Sequence, residues 1–189
     1  TIQKSGGASR RDMLLTCNTI LQSFMLIVTM PLSGITGGTQ TILGYNYGAR
    51  RPDRIKKAQK HILIVSLAFT AMMFGAAQFL PGYFTMIFTR DPQYITMTVR
   101  AIRIYSLMII PLAVQYTVVD GFTGMGIAGV AISLSTFRKL IYFAGVFLIP
   151  LWSDITNVFY TEPVSDLTAA VVSSIVYLLL MKKIEEGIL

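Results

Sequence analysis

A run of 37 residues without a single charge, from Met13 to Ala49, constrains this chain more than any other feature of its sequence. A helix needs about 20 apolar residues to cross the hydrocarbon core of a bilayer, so this run is long enough to span a membrane. The residues that follow it are strongly basic, namely Arg50, Arg51, Arg54, Lys56, Lys57 and Lys60. Such a cluster beside an apolar helix is typical of a cytoplasmic loop. The pattern predicts part of a polytopic membrane protein whose solvent is the lipid bilayer.

The composition excludes several other classes of protein. Charged residues make up only 13% of the chain, about half of what an ordinary soluble domain carries. The excess positive charge lies mainly in one loop and is not interleaved with aromatic residues, so no nucleic-acid partner is expected. With one cysteine, Cys17, and one histidine, His61, the chain has no plausible catalytic triad or zinc site. We therefore expect no enzyme activity, no metal and no cofactor.

The fold class is predicted to be all-α, a polytopic bundle of five membrane-spanning helices. The helices are expected at residues 13–34 with an apolar extension to 48, and at 62–80, 98–123, 127–152 and 163–181. They form a single partial membrane domain over residues 1–189, with a loop tail at 1–11, a basic cytoplasmic loop at 49–60 and a cytoplasmic tail at 182–189. Because the chain does not begin with Met, we interpret it as an excerpt of a longer protein.

The distribution of lysine and arginine sets the expected orientation. If the 49–60 loop is cytoplasmic, alternation of the helices places Arg138, Lys139, Lys182 and Lys183 on the same side. The outer connections then hold the acidic residues Asp12, Asp91, Asp154, Glu162 and Asp166. This arrangement predicts a multi-pass protein of the cell membrane (inner or plasma membrane) with a cytoplasmic C-terminus.

Two sequence blocks stand out near the end of the uncharged run. Residues 31–40 read Pro-Leu-Ser-Gly-Ile-Thr-Gly-Gly-Thr-Gln, and residues 44–50 read Gly-Tyr-Asn-Tyr-Gly-Ala-Arg. Together they resemble the C-terminal lobe of the multidrug and toxic compound extrusion (MATE) transporters. Later landmarks agree in order and spacing, namely Phe-Thr-Arg-Asp at 88–91, Gly126, Arg138, Pro150 and Glu-Pro-Val-Ser-Asp at 162–166. The chain departs from the family pattern at Ala8, Gly37 and Thr41.

The resemblance implies a transporter with two facing six-helix lobes, of which this chain would supply helices eight to twelve. It implies secondary active antiport, in which amphipathic or cationic small molecules are exchanged for sodium or protons by alternating access. The partner of this chain would be the missing N-terminal lobe of the same protein. Two alternatives stay open: a related lipid-linked polysaccharide flippase, and an inert truncated fragment that inserts but does not transport.

Asp120 is an acidic residue inside a predicted membrane helix, where ionisable groups are functional candidates by default. At helical spacing it shares a face with Tyr116 and Thr123. One hypothesis is that its carboxylate takes up a proton or pairs with a cationic substrate. The alternatives are an ion pair with Arg138 on the next helix, and simple hydration near the inner end of its own helix.

The first helix carries Asn18, Gln22 and Ser23. By resemblance this helix lines the central cavity, so the three residues are candidates for contact with substrate or ion. The competing expectation is that they hydrogen-bond neighbouring helices, as polar side chains in membranes often do.

A structural role is predicted for the motif of Gly44, Tyr45, Asn46, Tyr47 and Gly48, and for Arg138. The two glycines allow close approach of backbones, and Asn46 can cap or cross-link helices at the inner boundary of the membrane.

Overall fold

The computed structural model describes residues 8–152 and 155–187. Within these ranges the chain is mainly helical, with short turns between the helices, and contains no strand. The α-helices are α1 (Ala8–Gly37), α2 (Gln40–Gly48), α3 (Pro52–Phe79), α4 (Pro81–Met86), α5 (Pro92–Tyr105), α6 (Ile109–Gly124), α7 (Ala128–Trp152) and α8 (Thr161–Glu185). Short 3₁₀ helices occupy Ser106–Met108 and Ile155–Tyr160. The all-α fold class is confirmed.

Five segments are long and apolar enough to cross a membrane, which confirms the predicted number of spans. They are Asp12–Gly48, Pro52–Phe79, Pro92–Gly124, Ala128–Ile149 and Val158–Glu185. Large apolar side chains such as Phe79, Phe147 and Leu178 point away from the protein interior. An exposed apolar surface of this extent suits contact with lipid tails.

Several helix boundaries differ from the sequence prediction. Helix α1 begins at Ala8, inside the predicted loop tail, of which residues 1–7 lie outside the described part of the chain. Helix α3 begins at Pro52, so most of the predicted basic loop forms its first turns; proline suits this position because a first-turn N–H has no helical partner. Helix α8 continues to Glu185, so the first half of the predicted C-terminal tail is helical, residues 188 and 189 not being described.

The third predicted span is interrupted, because a 3₁₀ turn at Ser106–Met108 separates α5 from α6. Helix α6 ends at Gly124, and Gly126, two residues later, has a φ of 78° that glycine readily adopts. There Ile127 N–H donates to Phe122 O at 2.9 Å and Gly126 N–H donates to Thr123 O at 3.0 Å. This pair of bonds is a Schellman cap, and it reverses the chain into α7.

The interior consists of two apolar clusters with buried polar residues between them. One cluster joins α1 to α5, to the start of α6 and to the end of α3, around Leu21, Ile102 and Ile109. The other joins α2, the start of α3, the end of α6 and the end of α8, around Leu43 and Phe122. Between the stretches that form these clusters, the long helices bury the polar residues Ser66, Thr70, Gln115, Ser165, Asp166 and Ser173. The charged side chains of interest lie in this middle layer.

The motif from Gly44 to Gly48 forms most of α2, and only its first glycine makes a close contact. A Cβ atom placed on Gly44 would lie 2.5 Å from the carbonyl oxygen of Gly124 on α6, whereas one on Gly48 would meet nothing within 4 Å. The side-chain amide of Asn46 donates to Ile42 O at 2.8 Å in its own helix. Among the described residues the Asn46 side chain therefore bonds within α2 and does not cross-link helices, which was one of the two roles suggested by the sequence.

The two glycines of this motif should respond oppositely to substitution by alanine. Gly44→Ala places a methyl group against the backbone of α6, and overpacking of this kind costs about 1 to 3 kcal/mol. Gly48→Ala adds a methyl group in open space and should raise stability by up to about 1 kcal/mol, because alanine favours helix. Thermal unfolding in detergent measures both. Equal effects of the two substitutions would contradict the close contact between α2 and α6.

Candidate functional site

Asp120 lies in the last turns of α6 and is held by the junction between α1 and α2. Its Oδ1 accepts a hydrogen bond from Gln40 Nε2 at 3.3 Å, and its Oδ2 accepts one from Thr36 Oγ1. The helical hydrogen-bonding pattern breaks at Gly38 and Thr39, so the chain turns and presents both donors to α6. Both donors are neutral groups. They satisfy the oxygens of the carboxylate without neutralising its charge.

Asp120 also lines a cavity of about 280 Å³ between α6 and α7. The lining residues are Gln115, Tyr116, Val119, Asp120, Ser135, Arg138 and Lys139. Gln115 is almost fully buried, and its Oε1 has no hydrogen-bond partner among the described residues. The face shared by Tyr116 and Asp120 thus borders a cavity whose polar lining groups are available to a ligand. Thr123 does not line this cavity; it is exposed and donates to Val119 O of its own helix.

Arg138 does not pair with Asp120, which corrects one expectation from the sequence. Its Nη1 lies 3.1 Å from Glu162 Oε1 and 2.9 Å from Asp166 Oδ1. The two carboxylates are four residues apart in the first turns of α8, so they lie on one face of that helix. Asp166 is completely buried. We call Arg138, Glu162 and Asp166 the ionic cluster.

The ionic cluster also revises how charges were assigned to the two sides of the membrane. Arg138 was counted with the inner basic residues, and Glu162 and Asp166 with the outer connections. In the structure all three belong to the packed interface between α7 and α8, where Arg138 contacts both carboxylates. These residues therefore carry no information about orientation.

A chain of hydrogen bonds connects the ionic cluster to the surface of α1. The hydroxyl of Tyr105 donates to Glu162 Oε2 at 3.2 Å, and Gln22 Nε2 donates to the Tyr105 oxygen at 3.3 Å. Gln22 is exposed on α1, whereas Tyr105 is buried. Gln22 therefore bonds a neighbouring helix, as one of the two sequence expectations proposed, and remains accessible on its outer side.

The remaining candidates on α1 lie apart from the cavity between α6 and α7. Asn18 is half-buried one turn before Gln22. Ser23 is also half-buried, and its hydroxyl donates to Thr19 O within the helix. The structure thus brings Tyr116 and Asp120 together at one cavity and joins Gln22 to the ionic cluster, but it leaves Asn18 and Ser23 outside both.

Sequence reasoning missed the functional partners Thr36, Gln40, Tyr105, Glu162 and Asp166. For the last two a signal was present, because a pair of carboxylates spaced by four residues opens an apolar helix. The other three are uncharged residues in apolar helices and carry no distinctive local signal.

Comparison with known proteins identifies similar sequences and folds. The MatE family model matches residues 13–148. No curated protein sequence matches the chain. Among solved structures, an inward-facing multidrug resistance MATE family transporter of the MOP superfamily aligns with a TM-score of 0.83 at 14% identity, covering 98% of this chain and 42% of that one.

Two further structures give the same result. A MATE protein in the straight conformation aligns with a TM-score of 0.84 at 14% identity, covering 96% of this chain and 40% of that one. A MATE protein in complex with MaL6 aligns with a TM-score of 0.83 at 13% identity, covering 96% and 41%. The present chain therefore spans about two fifths of the length of these structures.

Proposed function

Because this chain belongs to the MatE family of membrane transporters, we propose that it is the C-terminal lobe of a two-lobe antiporter. The antiporter expels amphipathic or cationic small molecules, including drugs, in exchange for sodium or protons. Transport proceeds by alternating access, in which one lobe rocks against the other around a site near the middle of the membrane.

The observation that carries this proposal is an excess of negative charge in the membrane-spanning layer. Asp120, Glu162 and Asp166 supply three carboxylates, and Arg138 supplies the one guanidinium in contact with two of them. Lys139 is exposed at the edge of the same cavity and does not restore balance. A buried negative charge is stabilised by a cation, so this layer favours cationic substrates and coupling cations over anions.

The size of the chain supports the assignment to a single lobe. Five spans and about two fifths of the length of the solved transporters correspond to most of one six-helix lobe. A substrate cavity between lobes requires an N-terminal lobe as partner. We infer that the surface of α1 bearing Asn18, Gln22 and Ser23 faces that partner.

We place the protein in the inner or plasma membrane of the cell. The exposed basic residues in the first turns of α3 support a cytoplasmic position for this end of the bundle. Because α3 to α8 contain four spans, the C-terminus then lies on the same side. A cysteine at Lys57 or Glu186, both exposed, should react with an impermeant thiol reagent only after the membrane is opened. Ile55 is unsuitable for this purpose because it is buried.

Efflux from cells tests the proposed function. The full two-lobe protein, expressed in efflux-deficient cells, should lower the accumulation of a cationic dye, and collapse of the ion gradients should abolish this effect. The present chain expressed alone should leave dye accumulation unchanged, because it supplies one lobe. A two-lobe protein that inserts normally and exports no dye or organic cation would contradict the proposal.

A further inference from the structure

The ionic cluster holds more negative than positive charge in a largely buried place. One guanidinium faces two carboxylates, and both carboxylates are bound by the same nitrogen, Arg138 Nη1. The side chain of Asp166 is fully buried, and those of Arg138 and Glu162 are only 12% and 13% exposed. An uncompensated charge in such an environment is strongly unfavourable, and a buried carboxyl group usually avoids it by binding a proton.

The hydrogen bonds indicate which oxygen takes the proton. Both oxygens of Glu162 have donors, Arg138 at Oε1 and Tyr105 at Oε2. Asp166 accepts from Arg138 at Oδ1, but its Oδ2 is buried without a partner among the described residues. An ionised carboxylate oxygen in that state lacks any stabilising donor. A proton on this oxygen needs no shell of coordinating ligands, whereas a hard cation such as Ca²⁺ takes about six to eight oxygen ligands.

We propose that the ionic cluster is a proton-binding site in which a single proton is held on Oδ2 of Asp166 at neutral pH. The bound proton leaves one negative charge on Glu162, which matches the one positive charge on Arg138. Release of the proton restores the negative excess. The presence of this proton in the cluster is independent of the function proposed above. Its role as the coupling ion of transport rests on that function.

Other titratable groups lie near the cluster, but among the described residues none adds an ion pair to it. Lys139 follows Arg138 on α7 but is exposed, and its ammonium lies 6.0 Å from the Tyr142 ring centroid. Tyr105 on α5 and Tyr116 on α6 are phenols, which are neutral near pH 7. Asp120 on α6 adds a further negative charge from the far side of the cavity and so disfavours a second ionised carboxylate in the cluster.

Glu162 links the cluster to its surroundings. Of the two carboxyl groups only that of Glu162 is partly exposed, and the Tyr105 hydroxyl joins it to Gln22 at the surface of α1. Movement at the α1 surface can thus change the access of the cluster to water. In the two-lobe protein that surface is the one we assign to the partner lobe.

Infrared spectroscopy of the full chain in lipid vesicles tests for the proton directly, since a protonated carboxyl group has its own C=O stretching band. We expect this band at neutral pH in the unaltered chain. Asp166→Asn and Glu162→Gln should each remove the same band. In either variant one carboxylate remains, its charge is balanced by Arg138, and it therefore does not need to bind a proton. Asp53→Asn, at an exposed acid in the first turn of α3, is the matched control and should leave the band intact.

The amide band of the same spectra shows whether each variant retains its helices. Absence of the carboxyl band from the unaltered, helical chain would overturn the proposal without recourse to any variant. Its persistence in either helical single variant would overturn it as well, since the charge count would then be wrong. A band removed only by Asp120→Asn would assign the proton to Asp120 and reject the cluster.

Efflux measurements separate this inference from the proposed function. If the band behaves as expected but the two-lobe protein exports nothing, the proton site stands and the transport proposal fails. If efflux is normal and the band is absent, the transport proposal stands and the cluster is a structural ion pair only.

Discussion

Arg138→Gln is expected to lower the free energy of unfolding by about 3 to 5 kcal/mol. The substitution leaves Glu162 and Asp166 buried without their shared cation. Removal of one partner of a buried ion pair is strongly destabilising because the remaining charge is not compensated. The loss should appear in thermal or denaturant unfolding of the detergent-purified protein. It is one of the two largest effects that we predict for this chain.

Removal of the two acids together with the arginine should recover most of the lost free energy of unfolding. The triple variant with Arg138→Gln, Glu162→Gln and Asp166→Asn contains no uncompensated charge, and such neutral replacements of buried ion groups are often close to neutral in stability. Lys139→Gln changes the next residue, which is exposed, and serves as the matched control with an effect below about 1 kcal/mol. A triple variant as unstable as Arg138→Gln alone would show that packing, and not charge pairing, sets the importance of Arg138.

The five spans could be predicted from sequence because they depend on a local property. A long apolar segment must satisfy its backbone hydrogen bonds as a helix in lipid, whatever its neighbours are. The predicted boundaries were less accurate where charged residues continue a helix beyond the membrane, as in the first turns of α3 and the last turn of α8. Charge marks the end of the apolar segment but not the end of the helix.

The partners of Arg138 could not be predicted in the same way. They lie 24 and 28 residues away on the following helix, and hydropathy does not say which faces of two apolar helices meet. Asp120 was the partner that the sequence suggested, since it too lies in an apolar helix beside α7. The spacing of Glu162 and Asp166 was visible, but carboxylates in a first helical turn are usually explained by the helix dipole and by water.

The environment of Asp120 depends on a break in the backbone that the sequence only suggested. Thr36 and Gln40 both reach the carboxylate because α1 ends at Gly37 and α2 starts at Gln40, which changes the direction of the chain between them. The glycines at 37 and 38 are consistent with such a break, but the side chains that the break directs toward α6 follow from three-dimensional packing alone.

Asp120→Asn should abolish efflux by the two-lobe protein while leaving it folded. The amide has nearly the same shape as the carboxylate and can still accept a hydrogen bond from Thr36 or Gln40, so the change in stability should stay within about 1 kcal/mol. The negative charge at the cavity is lost, however, and with it the attraction for a cationic substrate or coupling ion. Dye accumulation should rise to that of cells without the transporter, at an unchanged amount of protein in the membrane.

The same efflux measurement, combined with the amount of protein in the membrane, distinguishes the possible roles of Asp120. Asp53→Asn, at an exposed acid, is the control. Normal efflux in Asp120→Asn would show that hydrogen bonding to Thr36 and Gln40 is all that the residue provides. A fall in protein level would mean that the charge itself stabilises the junction of α1 and α2. Loss of efflux with normal protein, and no loss in the control, places the transport chemistry at this carboxylate, since only the charge facing the cavity between α6 and α7 differs between the proteins.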